Sequence, residues 1–481
     1  MTVKHLSLVL LPPILFPLTA CFLTGPENQP PVVSIIQPGS GEAFVVGDTV
    51  TLVAEASDSD GVVTSVSFYV EEQLVGRSDT SPCTLSWNTA GSELLYSDIR
   101  AVAEDDDGAL GDDVVRVRTD WVYEPPEQAA DDWQTASLAD VGMDPAPLTE
   151  LINTLRSRQN HRVHGIVVAR HGLLVFEHYF SGLSHPTWGE TPVRFDRETA
   201  HVLSSVTKSF TAALLGIAID QGFISSVDEK VFDFYPELAD LNTGRKQDIT
   251  LRHLVTMSSG LEWNETSVPL TDPTNHLTAL INRALTTNQD LVRFILEKPM
   301  VADPGSVFNY SGGNTNVVGN VIQRASGMQL DQFADQYLFE PLGIERVWWW
   351  LLRPDFVYAS GDLALVPRDM AKFGQLFLQN GTWNGEQIVS QDWVALSAQS
   401  VFLFSPPYWG LSYGFVGYSY GWWPNEASYG AGAYSASGWG GQQIVVMPEL
   451  DMVAAVTGGS YWVTPSMTTH QIMQYVLRAV Q

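Results

Sequence analysis

The spacing of apolar residues changes near residue 130, and this change predicts two parts of different architecture. Between residues 31 and 120, apolar and polar positions alternate over short runs such as 45–54 and 65–70. Turn residues recur about every 8–12 positions between these runs. Alternation with a period of two places successive side chains on opposite faces of a strand. We therefore predict about seven short strands that form an all-β sandwich over residues 31–120.

From residue 133 onward the predicted elements are mixed. A spacing of three to four residues between apolar positions predicts helices at 147–158, 314–327 and 466–480. Short apolar runs predict strands at 165–170, 173–180, 442–447 and 452–457. Because strands stand near both ends of this part, we expect an α+β domain over 133–481, with one antiparallel sheet flanked by helices and a helical subdomain. Residues 121–132, which include Pro125 and Pro126, are expected to form a semi-rigid linker.

Residues 1–21 are expected to be a targeting segment rather than part of the fold. Lys4 precedes an apolar run over 6–18 that three prolines interrupt, which is too short and too kinked to span a membrane. The run ends in Leu-Thr-Ala-Cys21, which resembles a bacterial lipoprotein box. The resemblance implies a lipid anchor on Cys21, a tether over 22–30 and a cell-envelope location, at the outer membrane in a Gram-negative host. Export without an anchor is the alternative.

Charge and cysteine content narrow the classes of partner. The chain has 25 Lys and Arg against 54 Asp and Glu, a net charge of −29. Such a chain is repelled by nucleic acids and by anionic lipid surfaces, so we expect no nucleic-acid partner. A lipidated Cys21 leaves Cys83 as the one remaining cysteine, which excludes an intramolecular disulfide and predicts a buried strand residue at Cys83. No ligand set surrounds His161 and His164, so neither a metal nor a cofactor is expected.

Candidate chemistry is concentrated at Ser205 and Lys208, which have the spacing S-x-x-K at the start of an apolar run over 210–219. Residues i and i+3 share a helix face, so the ammonium group is expected beside the hydroxyl. The first turn of a helix also offers backbone N–H groups and a positive dipole end to a developing anion. A serine, a lysine that contacts it and an anion-stabilising helix end are the parts of a serine acyl-transfer site.

Two further stretches supply candidate partners for this pair. Tyr310 lies in a glycine-rich turn before a predicted helix and is a candidate base or proton shuttle, with a packed aromatic as the alternative. The run Ala-Ser437-Gly438-Trp439-Gly-Gly-Gln442 precedes a predicted strand, and its small residues would let a substrate lie along the strand edge. The candidate oxyanion donors are the N–H groups of Ser205 and of Trp439 or, on another register, Gln442. Trp422 and Trp423 are candidate substrate-binding aromatics, although core packing would explain them equally well.

Six motifs carry a family resemblance across residues 133–481. They are S-V-T-K-S-F at 205–210, I-T-L-R-H-L-V-T-M-S-S-G-L at 249–261, Y-S-G-G-N-T at 310–315, P-R-D-M-A-K-F-G at 367–374, Y-G-W-W at 420–423 and G-W-G-G-Q at 438–442. This set resembles the serine β-lactamase-related family, which includes class C β-lactamases, D-alanyl-D-alanine peptidases, esterases and 6-aminohexanoate-dimer hydrolases. The resemblance implies that Ser205 is the acylated nucleophile, Lys208 its base partner and Tyr310 the proton shuttle, and that the strand at 437–439 replaces the K-T-G motif.

The chain also departs from the family pattern at two places. Gly312 stands where the Y-x-N motif has asparagine, and Asn314 follows two residues later. The K-T-G position reads Ala-Ser437-Gly438, without a lysine or histidine that could hold a β-lactam carboxylate. Both departures favour the esterase and 6-aminohexanoate-hydrolase branch. We therefore expect a serine hydrolase that acts on a small-molecule or short-peptide ester or amide.

Residues 31–120 resemble the bacterial Ig-like modules of secreted enzymes in the motifs P-P-V-V, G-D-T-V-T-L, A-S-D-x-D-G, F-Y-V and W-N-T. Such modules imply a spacer or a contact with cell-wall glycans. Their two D-x-D-G turns are either hydrated Asx turns, which we favour, or calcium ligands. A second hypothesis makes this module the functional part and the hydrolase domain inactive, although the intact set of Ser205, Lys208 and Tyr310 argues against it.

Overall fold

The computed structural model describes residues 27–158, 160–403 and 417–481. These residues form two compact units. The N-terminal unit comprises residues 27–92 and 96–120, and the C-terminal unit comprises 93–95 and the described residues from 121 onward. The predicted targeting segment and Cys21 lie outside the described residues. Within the described ranges, no helix combines the length and the apolar character that a membrane span requires.

The N-terminal unit contains eight strands in two sheets. In chain order they are β1 Val32–Gln37, β2 Ala43–Val45, β3 Thr49–Ser57, β4 Val63–Val70, β5 Gln73–Ser78, β6 Cys83–Asn88, β7 Tyr96–Asp105 and β8 Leu110–Asp120. One sheet has the order β1-β3-β6 and the other β2-β8-β7-β4-β5. Alternating residues of both sheets, among them Leu52, Phe68 and Ile99, form one apolar core. The predicted all-β sandwich is confirmed, and Cys83 is a fully buried strand residue, as predicted.

The two aspartate-rich turns of this unit are closed by hydrogen bonds to backbone N–H groups. Asp105 Oδ1 accepts from the N–H groups of Asp107 at 3.0 Å and Ala109 at 2.8 Å. Asp106 Oδ1 accepts from the N–H of Val62 at 2.8 Å. The bonds within residues 105–109 are those of an Asx-type turn, whereas the bond from Val62 to Asp106 joins the two turn regions. Among the described residues, no group of three or more His, Cys, Asp or Glu side chains could hold a metal ion.

The C-terminal unit is built on a seven-stranded sheet. Its strands in chain order are β9 Gln134–Thr135, β10 Val163–Arg170, β11 Leu173–Tyr179, β12 Trp423–Pro424, β13 Tyr434–Gly438, β14 Gln442–Met447 and β15 Met452–Gly458. The spatial order is β12-β13-β14-β15-β10-β11-β9, antiparallel except for the edge pair β11-β9. Since β10 pairs with β15, strands from the two ends of the domain meet at the centre of the sheet. The predicted α+β fold is confirmed.

Helices cover both faces of this sheet. They are α1 Pro145–Arg156, α2 Thr207–Asp220, α3 Leu251–Val255, α4 His276–Thr286, α5 Leu291–Leu296, α6 Gly312–Ser326, α7 Leu330–Ala334, α8 Pro367–Leu378, α9 Gln391–Ala398, α10 Glu426–Tyr429 and α11 Thr469–Ala479. Alternation along β10 sends Val167 into the core that contains α2 and α8, and Ile166 into the core that contains α1 and α11. Gly374 lets α8 lie against the sheet, because a Cβ there would be 2.5 Å from Val453 Cγ1.

Short two- and three-stranded ribbons complete the C-terminal unit. Their strands are Ser181–Leu183, Pro192–Arg194, His201–Val202, Trp348–Trp349, Leu351–Arg353, Phe356–Val357, Leu363–Leu365, Thr382–Trp383, Glu386–Gln387, Phe402–Leu403 and Gly417–Tyr418. The ribbon of His201–Val202, Leu363–Leu365 and Trp348–Trp349 leads directly into the turn that holds Ser205.

The predicted linker over 121–132 is instead part of the C-terminal unit. Trp121 packs edge-on against Phe176 with 6.1 Å between ring centroids. Tyr123 stacks on the same ring and donates a hydrogen bond to the carbonyl of Val175 at 2.9 Å. The proline pair predicted an extended connector, but the aromatic residues before it pack their partly buried rings against the core and hold the segment on the sheet.

Candidate active site

Ser205 lies at the junction of a short 3₁₀ turn, Ser204–Val206, and helix α2. Lys208 is the second residue of α2, so the spacing of three residues spans the junction instead of the first turn of one helix. Ser204, immediately before the candidate nucleophile, has a φ of 47°, in the left-handed region that residues other than glycine rarely adopt. The helix that follows is buried almost throughout, which holds this turn in a fixed position.

Lys208 meets the Ser205 hydroxyl in a buried setting. Its Nζ lies 2.9 Å from Ser205 Oγ and 2.8 Å from the carbonyl oxygen of Ser360. Lys208 is only 3 % exposed. Burial lowers the pKa of the Lys208 ammonium below its ordinary value, and the charges of Glu265 and Asp362 oppose this shift. A lowered pKa increases the fraction of neutral amine, which is the form that can accept a proton.

Tyr310 completes a three-residue cluster with this pair. Its side chain forms a hydrogen bond with Ser205. Lys208 Nζ lies 4.8 Å from the centroid of the Tyr310 ring. Burial, and to a lesser degree the charge of Glu265, raise the pKa of the Tyr310 phenol well above its usual value, and the bond to Ser205 opposes them. The phenol therefore stays protonated at neutral pH, which fits a proton donor or shuttle better than a resident phenolate.

The edge of strand β13 lies directly against the Ser205 turn. A Cβ on Gly438 would be 2.3 Å from the carbonyl oxygen of Leu203 and 3.2 Å from the Ser205 nitrogen. Only glycine permits this approach, so the strand and the turn come together because residue 438 has no side chain. Ser437 lies beside it, paired with Gln443 and partly exposed. The next backbone N–H along this edge is that of Trp439.

Gln442, the other candidate oxyanion donor, stabilises the β13-β14 hairpin through its side chain. It pairs with Gly438 in the β13-β14 hairpin. Its side-chain Nε2 donates to the carbonyls of Gly458 at 2.6 Å and Trp439 at 3.2 Å. The Gln442 side chain thus closes the turn that carries Trp439, and the assignment of Trp439 as the oxyanion donor stays a prediction.

The two candidate tryptophans occupy different environments. Trp422 is fully buried and packs against Phe373, Phe377 and Tyr434, so the expectation that it binds substrate is corrected. Trp423 stacks on Tyr310 with 5.9 Å between ring centroids, at the edge of the cluster. Trp423 begins strand β12 and Trp422 lies just before it, and their rings enter different clusters: Trp422 joins the core that contains α8, and Trp423 packs with Tyr310.

Glu265 is a site residue that the sequence reasoning missed. Its Oε2 accepts hydrogen bonds from the N–H of Gly312 at 2.5 Å and from Trp263 Nε1 at 2.9 Å. Asn314 does not replace the missing asparagine of the Y-x-N motif, because it is 1 % exposed and its Oδ1 accepts from Ser259 at 3.0 Å. The sequence feature that could have identified Glu265 is its position in Trp263-Asn-Glu265, directly after the 249–261 motif.

Asp362 and His185 also border the cluster and were not predicted. Asp362 Oδ2 accepts from Thr187 Oγ1 at 3.1 Å, and burial raises the pKa of its carboxyl to about 6. His185 Nδ1 accepts from the Thr187 N–H at 3.1 Å, so its Nε2 carries the proton that faces Ser204 Oγ at 3.3 Å. Burial lowers the pKa of His185 to about 4, which keeps the ring neutral beside the Ser205 turn.

Comparison with family models agrees with the two parts of the chain. The beta-lactamase family model matches residues 148–461, more than half of the 481 residues. The bacterial Ig domain model matches residues 31–112. The family resemblance carried by the six motifs, and the resemblance of the N-terminal part to Ig-like modules, are both confirmed.

Individual relatives are hydrolases and related proteins of this fold. A 6-aminohexanoate-dimer hydrolase from Paenarthrobacter ureafaciens is 26% identical over 204 residues, 42% of this chain and 51% of that protein. The esterase EstB from Burkholderia gladioli is 30% identical over 183 residues, 37% of this chain and 44% of that protein. The chain thus spans about half of the length of these relatives or less. A penicillin-binding protein homologue from Caulobacter crescentus has the same fold, with a TM-score of 0.52 and 17% identity over 70% of this chain and 94% of that chain.

Proposed function

Because the chain belongs to the beta-lactamase family and is an enzyme of the serine hydrolase type, we propose that it cleaves an ester or amide bond through an acyl intermediate on Ser205. The observation that carries this proposal is the buried contact of 2.9 Å between Lys208 Nζ and Ser205 Oγ. The hydrogen bond of Tyr310 to the same serine supports it, since a nucleophile, a base and a proton donor then meet at one hydroxyl.

In the acylation step, neutral Lys208 accepts the Ser205 proton while Oγ forms a bond to the substrate carbonyl carbon. The carbonyl oxygen becomes an anion that accepts hydrogen bonds from the N–H groups of Ser205 and Trp439. When the tetrahedral intermediate collapses, the bond from carbon to the leaving oxygen or nitrogen breaks. Tyr310 donates its proton to the leaving group and regains one from the Lys208 ammonium, so the charge at the site is restored.

Deacylation repeats the sequence with water as the nucleophile. Neutral Lys208 accepts one proton from water, with the Tyr310 hydroxyl as the shuttle, as the water oxygen attacks the acyl carbon. The bond from that carbon to Ser205 Oγ then breaks, and Oγ takes the proton back. A carboxylic acid leaves, and Ser205, Lys208 and Tyr310 return to their starting states.

We infer that the substrate is a linear ester or amide, and that β-lactams are turned over slowly or not at all. The strand edge Ala436-Ser437-Gly438 has no cationic side chain for a β-lactam carboxylate. The 6-aminohexanoate-dimer hydrolase and esterase relatives support this substrate class. Fast hydrolysis of a chromogenic cephalosporin would contradict it.

We also propose that a lipid on Cys21 anchors the protein in the cell envelope, where the N-terminal unit acts as a spacer or contacts cell-wall glycans. The support is the Leu-Thr-Ala-Cys21 ending of the apolar N-terminal run and the match to a bacterial Ig domain. Metabolic labelling with an alkyne fatty acid should modify the wild-type protein and leave a Cys21→Ser variant unlabelled. Labelling of both forms would contradict the anchor.

The experiment for the main proposal is covalent labelling with a fluorophosphonate probe, located by peptide mass spectrometry. The wild-type protein should be labelled on Ser205. Ser205→Ala should remove the labelling and lower kcat for a short-chain ester by about 10³-fold or more. Lys208→Met, which keeps the length of the side chain, should slow the labelling strongly. Equal labelling of Ser205→Ala, or no labelling of the wild-type protein, would contradict the proposal and favour an inactive binding protein.

A further inference from the structure

The place where this chain lacks the asparagine of the Y-x-N motif is filled by another side chain. A Cβ on Gly312 would lie 2.8 Å from Glu265 Oε2 and 3.1 Å from Ser360 Oγ. The first atom of any side chain at position 312 would therefore meet the Glu265 carboxylate. A carboxylate therefore stands here in place of a neutral amide.

Within the described part of the chain, hydrogen bonds hold one oxygen of Glu265. Oε2 accepts from the Gly312 N–H and from Trp263 Nε1, and these bonds set the position of the carboxylate. Oε1 has no hydrogen-bond donor among the described residues, and Glu265 remains partly exposed. A carboxylate with one fixed and one open oxygen can accept a charge-assisted hydrogen bond from a ligand.

The carboxylate also lies close to the reacting groups. Its charge acts on the protonation of both Lys208 and Tyr310, which places it within electrostatic range of the cluster around Ser205. The strand edge over 436–441, which lies against the Ser205 turn, contains no lysine, arginine or histidine. The Lys208 side chain is bonded to Ser205 and Ser360 and is therefore not free to bind an anionic group of the substrate.

We propose that Glu265 is a specificity residue, whose carboxylate binds a positively charged ammonium or guanidinium group of the substrate. This inference rests on the proposed acyl transfer at Ser205 and names the substrate class for that site. The enzyme then prefers an ester or amide with a cationic group near the scissile bond and disfavours the neutral analogue. Substrates with a carboxylate at that place are repelled.

A structural role for Glu265 has to be separated from this one. Gly312 is the first residue of helix α6, so the bond from its N–H to Glu265 also satisfies an unpaired donor at a helix end. Glu265→Gln keeps an oxygen acceptor for this N–H and for Trp263 and removes only the charge. A purely structural role would leave substrate selectivity unchanged in this variant. Exposed Glu262, three residues earlier, offers the matched control Glu262→Gln.

The test compares pairs of fluorophosphonates and of esters in which a terminal ammonium replaces a terminal methyl group. One pair of esters carries the charge on the acyl chain, and the other carries it on the alcohol. The wild-type protein and Glu262→Gln should favour the cationic member about tenfold in labelling rate and in kcat/KM for at least one pair. In Glu265→Gln this ratio should fall to about one, because no charge remains to be recognised.

The ratio between the cationic and the neutral member of a pair is informative even if Glu265→Gln changes the reactivity of Lys208. Such a change would affect both members of the pair equally. An unchanged ratio in Glu265→Gln, with Ser205 still labelled, would overturn the role of Glu265 and leave the hydrolase proposal standing. If the wild-type protein shows a ratio of one in every pair, the proposed role of Glu265 is also refuted. Absence of any labelling at Ser205 would instead refute the acyl-transfer proposal itself.

Discussion

In the N-terminal unit the ion pairs lie at the surface, whereas the C-terminal unit carries charged groups into its interior. The Arg116–Asp98 pair has side-chain exposures of 66% and 39%. In contrast, the Arg368 side chain is 2% exposed and binds both Glu177 and Asp131. Lys208 and Asp362 are buried in the same unit. Buried Asp105 of the first unit is held by backbone N–H groups, whereas the second unit also buries ion pairs.

This difference in the burial of charged groups indicates which unit contains the reactive site. A surface ion pair in water contributes little and is easily replaced. A buried charge costs free energy unless partners compensate it, and its pKa can move far from the ordinary value. Groups with shifted pKa values cluster around Ser205, so the C-terminal unit has the features of a reactive site. Three predictions test this contrast, in order of decreasing effect.

The largest effect is expected for the Arg368→Met variant. The guanidinium donates to Glu177 at 2.6 and 2.8 Å and to Asp131 at 2.8 Å. Its loss leaves Glu177, with 11% side-chain exposure, without its cationic partner. Such a break typically costs about 3–5 kcal/mol in the free energy of unfolding. Urea denaturation followed by tryptophan fluorescence measures it, and the double variant with Glu177→Gln should recover part of the loss. A cost near zero would mean that the buried pair does not support the C-terminal unit.

Asp362→Asn should give an intermediate effect that depends on pH. Its folded pKa, about 6, lies above its ordinary value of 3.8. A group with a raised folded pKa contributes stability below its unfolded pKa, and this contribution is lost as pH rises through the folded pKa. The free energy of unfolding of the wild-type protein, relative to that of Asp362→Asn, should therefore be lower at pH 8 than at pH 4 by about 2–3 kcal/mol. Urea unfolding of both proteins at the two pH values measures the difference. The same difference at both pH values would show that the Asp362 carboxyl is not perturbed.

The smallest effect is expected for Arg116→Ala in the N-terminal unit. Arg116 donates to Asp98 at 2.7 Å from two of its nitrogens, so the geometry is good, but the pair is exposed to solvent. Water and salt screen this attraction, and holding two long side chains in one arrangement opposes it. The unfolding midpoint of this unit should stay within experimental error at moderate salt. A clear loss of stability would show that surface charge does matter here.

The sequence predicted the architecture well because strand alternation and helical periodicity are local properties. The runs at 165–170 and 452–457 are short and almost continuously apolar, as fully buried strands are, and they form the adjacent central strands β10 and β15. The contact between Ser205 and Lys208 was also predicted from the sequence, since residues three apart share a helix face. In the structure their side chains lie 2.9 Å apart. The burial of Trp422 could not be predicted, because two adjacent tryptophans look alike in the sequence and only the fold places one in the core and the other beside Tyr310.

What the sequence determined by itself is therefore the two-part fold, the candidate nucleophile and lysine, and their membership in a hydrolase family. The tertiary structure alone decided that Lys208 is buried, that Gly438 brings a strand against the Ser205 turn, and that Glu265 fills the place left by Gly312. These features depend on contacts between segments far apart in the chain. Residues 265 and 312 lie side by side only in the folded chain. The periodicity of the sequence contains no information on the distance between them.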